Sequence, residues 1–242
     1  MNDALPGTTG RRRVYLMRHG EVAYFDADGR PVHPKYVDLT ERGQAQARAM
    51  SDMLADIPFD RAICSGLPRT VQTAQLVLGA RDLELEERPA LKELKSGDNR
   101  GKSMEAIEAA FVFSQENAGE PGARFAGGEI YAEVYERVTQ ELQRILLEPG
   151  WRNILIVAHE GVNRMLLGWA SYGGLASMRA FEQDPCCLNV IDADIVDGAI
   201  ERRFIKLMNV TPENHSKLDN HLSSMEQVFA LRRALMQRED TR

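Results

Sequence analysis

Short apolar runs alternate along this chain with segments whose apolar residues have helical spacing, and this alternation restricts the fold more than any other feature. Strands are predicted at residues 14–17, 61–65 and 153–158, and residues 83–94 are expected to be extended. A helix-start signal follows each of the three apolar runs, namely Thr40, Pro68 and the residue after His159. Such alternation is typical of a mainly parallel sheet with helices on both faces. We therefore predict an α/β fold of three layers.

The second half of the chain adds a hairpin and a C-terminal extension. The pair Asp197-Gly198 separates two apolar runs and favours a tight turn between antiparallel strands at 188–195 and 200–207. Helices are predicted at residues 40–56, 68–78, 103–116, 129–147 and 224–237. We expect a flexible tail at residues 1–10, one α/β domain at 11–208 and an extension at 209–242. Its helix is expected to pack on the domain or to form a dimer contact.

Charge and composition restrict the kinds of partner. The net charge of -6 gives no general attraction to nucleic acid or to anionic membranes. No apolar run reaches the length of a transmembrane helix, and the three cysteines have no metal-ligand spacing. We therefore expect a cytoplasmic protein without nucleic acid, membrane or metal partners. An anionic ligand would need a local cluster of cationic side chains.

Arginine and histidine side chains follow three of the predicted strands. Arg18 and His19 end the first strand, Arg69 lies in the helix turn after the second, and His159 ends the third. Each alone is compatible with a structural role, such as a core histidine or a surface ion pair. In parallel sheets, however, strand carboxyl ends form the usual ligand site, and a guanidinium fits a phosphate at two points. Together these residues predict a phosphate site.

Four sequence blocks resemble the histidine phosphatase superfamily, also called the phosphoglycerate mutase-like superfamily, in their order and rough spacing. They are Leu16-Met17-Arg18-His19-Gly20-Glu21, Leu39-Thr40-Glu41-Arg42-Gly43, Ser65-Gly66-Leu67-Pro68-Arg69-Thr70-Val71-Gln72-Thr73-Ala74 and Val157-Ala158-His159-Glu160-Gly161-Val162-Asn163-Arg164. The resemblance covers about residues 12–208, and the blocks are specific in combination. It implies the phosphoglycerate mutase-like three-layer sandwich and metal-independent, cofactor-free chemistry on a small phosphorylated substrate.

The resemblance also implies a role for each matching residue. His19 would attack phosphorus as a neutral imidazole and become phosphohistidine, while Arg18, Arg69 and His159 would hold the phosphate oxygens. Fixed positive donors suit this reaction because a loose transition state spreads charge over three oxygens. His159 is expected to be most effective when protonated, as a charged donor.

A carboxylic acid is expected to protonate the leaving oxygen. The family has this acid in a Leu-x-Glu segment before a glycine, which is similar to Leu91-Lys92-Glu93 before Gly97. Glu93 is therefore predicted to be the acid. Asp98 remains a rival, and a solvated surface charge at Glu93 beside two lysines remains the simpler alternative.

Some positions depart from the family pattern. Val22 and Phe25 stand where many members have a hydroxyl residue and a phosphate-binding asparagine. The segment Gly127-Gly128-Glu129 matches the family, and is expected either near the substrate mouth or as a loop before a helix. The interval from Glu93 to Gly128 is short, as in the phosphatases. We therefore expect a phosphomonoesterase rather than a phosphoglycerate-type mutase or an inactive phosphate-binding member, and leave a homodimer open.

Overall fold

A six-stranded sheet forms the centre of the protein in a computed structural model that describes residues 10–239. The strands are β1 (Arg11–Arg18), β2 (Arg61–Cys64), β3 (Leu85–Glu87), β4 (Asn153–Ala158), β5 (Leu188–Val196) and β6 (Ala199–Val210). Their order is β3-β2-β4-β1-β5-β6, and the first four are parallel to one another. β5 is antiparallel to β1 and forms the predicted hairpin with β6. The prediction of a mainly parallel α/β sheet is confirmed.

Helices connect the strands and begin largely where the sequence predicts. They are α1 (Glu41–Met53), α2 (Pro68–Leu78), α3 (Met104–Val112), α4 (Tyr131–Leu147), α5 (Glu160–Ala170), α6 (Gly174–Ser177) and α7 (Ser224–Glu239). The Thr40 hydroxyl accepts the Gly43 N–H at 3.0 Å, and Ser103 accepts the Ala106 N–H at 3.2 Å. Helix α3 ends four residues earlier than residue 116.

The segment predicted to be extended, residues 83–94, is only partly a strand. β3 ends at Glu87, and a short 3-10 turn follows at Pro89–Leu91. Pro89 has no N–H to donate to a strand ladder, which accounts for the end of the pairing. The prediction of extended structure is therefore wrong for the turn at Pro89–Leu91, while the backbone of Arg88 and Lys92 on either side is extended. Leu91 and Leu94 are buried in the core on either side of Glu93.

The two faces of the sheet carry separate cores. In β4, Ile154 and Ile156 pack with α4 and α5, while Leu155 and Val157 pack with α1 and α2. Alternation of buried side chains to opposite faces follows from the two-residue period of a strand. The protein therefore has the three layers that the sequence predicts.

Strand order explains why the candidate residues meet. β1 and β4 are central neighbours, and Arg18 is paired with Ala158 at their carboxyl ends. The His19 N–H also donates to the Ala158 carbonyl at 3.1 Å. Since the chain leaves β1 toward α1 on one face and leaves β4 into α5 on the other, a crevice opens between the two strand ends.

A close backbone contact fixes the turn after β1. A Cβ atom on Gly20 would lie 2.6 Å from the Gly43 carbonyl oxygen, and one on Gly43 would lie 2.2 Å from the Glu21 carbonyl oxygen. These distances leave no room for any side chain on either residue. The close contact between Gly20 and Gly43 thus holds the turn after His19 against the start of α1.

The structure describes most of the C-terminal extension but almost none of the predicted N-terminal tail. The predicted tail at residues 1–10 lies outside the described residues except for Gly10. Within the extension, α7 packs against α3 and the loop after β1, through the side chains Phe229, Phe111 and Phe25. In residues 10–239 no helix is long and apolar enough to cross a membrane.

Candidate active site

The two histidines lie side by side at the carboxyl ends of β1 and β4. The ring centroids of His19 and His159 are 5.3 Å apart, and both side chains are buried. Arg18 and Arg69 are also buried, at 3% and 2% exposure. Arginine is almost never fully buried unless it is paired, and the Arg69 guanidinium contacts the His159 ring. The structure thus brings together the residues that the sequence predicts for a phosphate site.

The His19 ring is held in one tautomer. Its Nδ1–H donates to the Gly20 carbonyl oxygen at 2.8 Å, which leaves the Nε2 lone pair free. Burial, together with the positive charges of Arg69 and Arg18, lowers the pKa of His19 well below its usual value. His19 is therefore a neutral imidazole near pH 7, with an unprotonated nitrogen available for attack.

A chain of hydrogen bonds fixes the His159 tautomer. The Thr70 hydroxyl donates to the Leu67 carbonyl at 2.8 Å, so it accepts from the Ser65 hydroxyl at 3.0 Å. Ser65 Oγ in turn accepts from His159 Nε2–H at 2.8 Å. The Arg69 guanidinium lies 3.3 Å from His159 Nδ1 and is a donor only. His159 Nδ1 is therefore an unprotonated acceptor.

The protonation state of His159 differs from the expected charged donor. Burial and the nearby positive charges, Arg69 first, lower the pKa of His159 well below its usual value. His159 is thus neutral in the protein without an anion. A bound dianion would replace Arg69 at Nδ1 and favour the protonated ring, because an opposite charge at contact distance raises a histidine pKa.

This difference leads to a prediction about proton uptake. Sulfate, a dianion that carries no proton near pH 7, is expected to bind with net proton uptake as the pKa of His159 rises. Calorimetric titration in two buffers of different ionisation enthalpy measures that uptake. The His159→Gln variant should bind sulfate more weakly and take up fewer protons. Equal uptake in both proteins would show that His159 stays neutral.

Arg18 lies where three segments meet. Its Nη1 donates to the Gln183 carbonyl at 2.5 Å and to the Ser224 hydroxyl, while Nη2 lies 3.3 Å from a carboxylate oxygen of Glu160. Its Nε–H is buried and has no hydrogen-bond partner. A buried donor without a partner costs about 1–3 kcal/mol. An anion in the crevice would supply the missing acceptor.

Arg69 has a similar arrangement in the first turn of α2. Its Nη1 donates to the Pro34 carbonyl at 2.7 Å, and its Nε–H is buried without a partner. Pro34 belongs to the loop after β1, so this loop reaches the guanidinium. Thr73 joins the same two parts, since its Oγ1 accepts the Gly20 N–H at 3.0 Å and donates to the Arg69 carbonyl at 2.7 Å.

Glu93 lies beside the start of α5 and is half-buried. Its carboxylate accepts the Gly161 N–H at 3.1 Å and the Leu94 N–H at 3.1 Å. Burial raises the pKa of Glu93, and these two hydrogen bonds offset the effect only in part. Arg137 donates to the Lys92 carbonyl at 3.1 Å and thereby holds the preceding residue in place. The side chain is not a solvated surface charge.

Asp98 has a different environment. It is exposed and forms an ion pair of 2.6 Å with Arg100. Hydrogen bonds from Arg100 lower the pKa of Asp98. A carboxyl group that stays ionised suits proton donation less well than one with a raised pKa, so the contacts favour Glu93 over Asp98.

Two other expectations have plain outcomes. Val22 is buried in a small apolar cluster, and Phe25 packs on Phe229, so neither supplies a polar contact. Glu129 accepts the Lys95 N–H at 2.7 Å. The Gly127-Gly128-Glu129 segment therefore braces the loop after Glu93.

Several residues of the site carried no assigned role in the sequence analysis. Ser65 orients His159, and Thr73 ties α2 to the His19 turn. Both lie in the matched block at 65–74, so their motif was visible but their contacts were not. Ser224 contacts Arg18 from 206 residues away, and no local sequence signal indicates that pairing.

Comparisons with known proteins show the family to which this chain belongs. Residues 14–205 match the sequence profile of the Histidine phosphatase superfamily (branch 1). The adenosylcobalamin/alpha-ribazole phosphatase of Salmonella typhimurium is 33% identical over 187 residues, which are 74% of this chain and 90% of that protein. A probable phosphoglycerate mutase of Erwinia tasmaniensis is 30% identical over 154 residues, 61% of this chain and 69% of that protein.

Solved structures give the same result for the fold. A putative alpha-ribazole-5'-P phosphatase from Escherichia coli superposes with a TM-score of 0.66 at 28% identity, covering 82% of this chain and 96% of that one. The structure is an α/β fold with two arginines and two histidines buried together at the strand ends. The chain belongs to the histidine phosphatase superfamily, as the resemblance implied.

Proposed function

We propose that this protein is a phosphomonoesterase that acts through a phosphohistidine at His19. The observation that carries the proposal is the neutral His19 ring, whose free Nε2 lies in a buried cluster with Arg18 and Arg69. A neutral nucleophile beside fixed positive charges is what attack on a phosphate ester needs. The similarity to a phosphatase at 33% identity supports hydrolysis as the reaction.

The first step transfers the phosphoryl group to the enzyme. His19 Nε2 forms a bond to phosphorus while the bond from phosphorus to the ester oxygen breaks. Arg18, Arg69 and a protonated His159 hold the three phosphoryl oxygens and offset their charge. Glu93 gives its proton to the departing oxygen, which leaves as an alcohol.

The second step returns the enzyme to its starting state. Glu93, now a carboxylate, takes a proton from a water molecule as that water attacks the phosphohistidine. The bond from phosphorus to Nε2 breaks, inorganic phosphate forms, and His19 is again neutral. One carboxyl group thus serves as acid and then as base.

Hydrolysis of p-nitrophenyl phosphate in excess EDTA tests the proposal. Turnover that resists the chelator supports a metal-independent phosphatase. If p-nitrophenyl phosphate is not hydrolysed, interconversion of 2- and 3-phosphoglycerate that depends on 2,3-bisphosphoglycerate would identify a mutase. Tight phosphate binding without either activity would identify a binding protein.

The alpha-ribazole phosphatases make alpha-ribazole phosphate one natural ester to include in these assays. The cytoplasmic location and the homodimer stay predictions.

Arg69→Lys is expected to lower kcat/KM for p-nitrophenyl phosphate about 100-fold or more, because lysine cannot contact two phosphate oxygens with a planar fork. The matched control is Arg48→Lys, an exposed arginine on α1 whose replacement should not change the rate. Steady-state kinetics and thermal unfolding of both variants make the comparison. Near-normal turnover by a folded Arg69→Lys protein would show that Arg69 does not hold the phosphate.

A further inference from the structure

The carboxylate of Glu160 contacts two buried arginines. Its Oε2 lies 3.3 Å from Arg18 Nη2, and its Oε1 accepts a hydrogen bond from Arg164 Nη2 at 3.0 Å. Glu160 is 5% exposed, and Arg164 is 4% exposed. Glutamate is almost never this buried unless it is paired. A negative charge is therefore fixed next to a guanidinium that is proposed to hold phosphate.

Glu160 is the first residue of α5, and a carboxylate at a helix start often has no role beyond its interaction with the helix dipole. Its contacts, however, are with side chains from other parts of the site. Besides Arg18, Gln115 donates to Glu160 Oε1 at 3.4 Å. The N–H of Gly161, in the same first turn, donates to Glu93 instead. The side chain of Glu160 thus belongs to the cluster at the strand ends.

Glu160 also lies beside the proposed acid. Glu160 and Glu93 both line a cavity of about 30 Å³, which has room for about one water molecule. Glu93 also accepts the N–H of the residue that follows Glu160. Neither Arg18 nor Arg164 lines this cavity. Glu160 therefore contacts the two arginines and adjoins Glu93, whereas the arginines do not reach the same space.

Several charged and titratable side chains surround Glu93, namely Arg18 of β1, Arg69 of α2, Tyr131 and Arg137 of α4, Glu160 and Arg164 of α5, and Lys92 and Lys95 of its own segment. The nearby His19 and His159 are neutral. Burial is the main cause of the raised pKa of Glu93, and among the charged groups Glu160 acts most strongly in the same direction, while Arg69 lowers this pKa by less. Without Glu160, the guanidinium groups would act on Glu93 unopposed and favour its carboxylate form.

We propose that Glu160 is a positioning residue for the proton donor: it pairs with Arg18 and Arg164 so that neither guanidinium pairs with Glu93. Glu93 then keeps its proton until the leaving oxygen takes it. The proposal rests on the proposed phosphatase function, in which Glu93 is the acid. Glu160 itself gives and takes no proton in either step.

Glu160→Gln keeps the size of the side chain and an acceptor for Arg164 but removes the charge. The pH at which kcat/KM for an alkyl phosphate falls, as Glu93 loses its proton, should drop by about one unit, the effect of a like charge at close range. Above that pH the variant should be about tenfold slower than wild type. The kcat for p-nitrophenyl phosphate near neutral pH should hardly change, because nitrophenolate leaves without a proton and Glu93 still acts as the base.

Glu182→Gln is the matched control, since Glu182 contacts the same Arg164 at 2.9 Å but does not line the cavity with Glu93. Its pH profile should match that of the wild type. If Glu160→Gln slowed both esters alike and left the pH of the fall unchanged, Glu160 would only hold Arg18 in place, and the proposal would be wrong. Loss of the alkyl phosphate activity and its pH dependence in Glu160→Gln, but not in Glu93→Gln, would make Glu160 the donor and would equally overturn it.

A double variant covers the case in which the single variant does not fold, since breaking a buried ion pair from one side is strongly destabilising. Glu160→Gln/Arg164→Gln removes both partners of one pair. The alkyl phosphate profile should again shift to lower pH, by a smaller amount, because the carboxylate that adjoins Glu93 and one of the arginines behind it are lost together. An unchanged profile in a folded double variant would contradict the proposal.

Infrared titration without substrate separates this proposal from the proposed function. A protonated carboxyl has its own stretching band, and the band that Glu93→Gln lacks reports the proton on Glu93. Its titration midpoint should be about one pH unit lower in Glu160→Gln and unchanged in Glu182→Gln. If the wild type hydrolyses no ester, the phosphatase proposal fails, yet this shift should still appear. Equal midpoints in the wild type and Glu160→Gln would show that Glu160 does not keep the proton on Glu93, whatever the protein catalyses.

Discussion

Replacing His19 by alanine is expected to lower hydrolysis of p-nitrophenyl phosphate about 10⁴-fold or more, the scale seen when a covalent nucleophile is removed. The free Nε2 is the atom that would form the bond to phosphorus, and no neighbouring group has an equivalent lone pair. His159 Nδ1 faces Arg69 and Nε2–H faces Ser65. Steady-state rates in excess EDTA measure the loss, and the wild type should keep its full rate there.

A second measurement ties the loss to covalent chemistry. After an acid quench too brief to hydrolyse a phosphohistidine, wild type incubated with a labelled ester should carry label on His19, whereas His19→Ala should carry none. The matched control is His215→Ala, since His215 is exposed and lies outside the site. It should retain both rate and label. Equal turnover by wild type and His19→Ala would show that His19 is not the nucleophile.

The order of the strands in the sheet could not be predicted from local sequence signals. Each candidate residue follows a local signal, either an apolar run or a helix start, and these signals place Arg18, Arg69 and His159 at strand ends. Nothing local states that β4 inserts between β1 and β2, which brings the His19 and His159 rings to 5.3 Å. That adjacency depends on long-range packing. The family resemblance implied this adjacency, whereas hydrophobic periodicity alone does not predict it.

Contacts between distant side chains were also beyond the sequence. The expectation that His159 would be charged rested on its proposed role, while its protonation depends on burial and on Arg69. The sequence at Phe25 indicates only the absence of a polar contact, whereas the structure packs Phe25 on Phe229, 204 residues later in α7. Amphipathic spacing predicted the helix itself. Which surface it covers depends on apolar partners that are scattered along the chain.

Glu93→Gln is expected to slow the hydrolysis of alkyl phosphates about 10²- to 10⁴-fold, the usual contribution of a general acid. The amide keeps the size of the side chain and can still accept an N–H, but it cannot give or take the proton. The effect should depend on the leaving group. Nitrophenolate leaves without a proton, so the first step with p-nitrophenyl phosphate should be much less affected.

The second step gives the sharper signature. In Glu93→Gln the side chain at position 93 cannot take a proton from water, so the phosphohistidine should persist. A rapid burst of nitrophenol, close to one per enzyme, followed by slow turnover is the expected time course. The control is Asp98→Asn, because Asp98 is exposed and paired with Arg100. That variant should show neither the burst nor the loss.

The pH dependence completes the assignment of Glu93. Because burial raises its pKa, the acid form persists to higher pH than for an exposed glutamate. Wild-type kcat/KM for an alkyl phosphate should therefore fall as pH rises through this raised pKa, where Glu93 loses its proton. Glu93→Gln should lack that fall while Asp98→Asn keeps it. If instead Asp98→Asn lost the pH dependence and the alkyl phosphate activity, the proton donor would be Asp98, and the raised pKa of Glu93 would be a consequence of its burial alone.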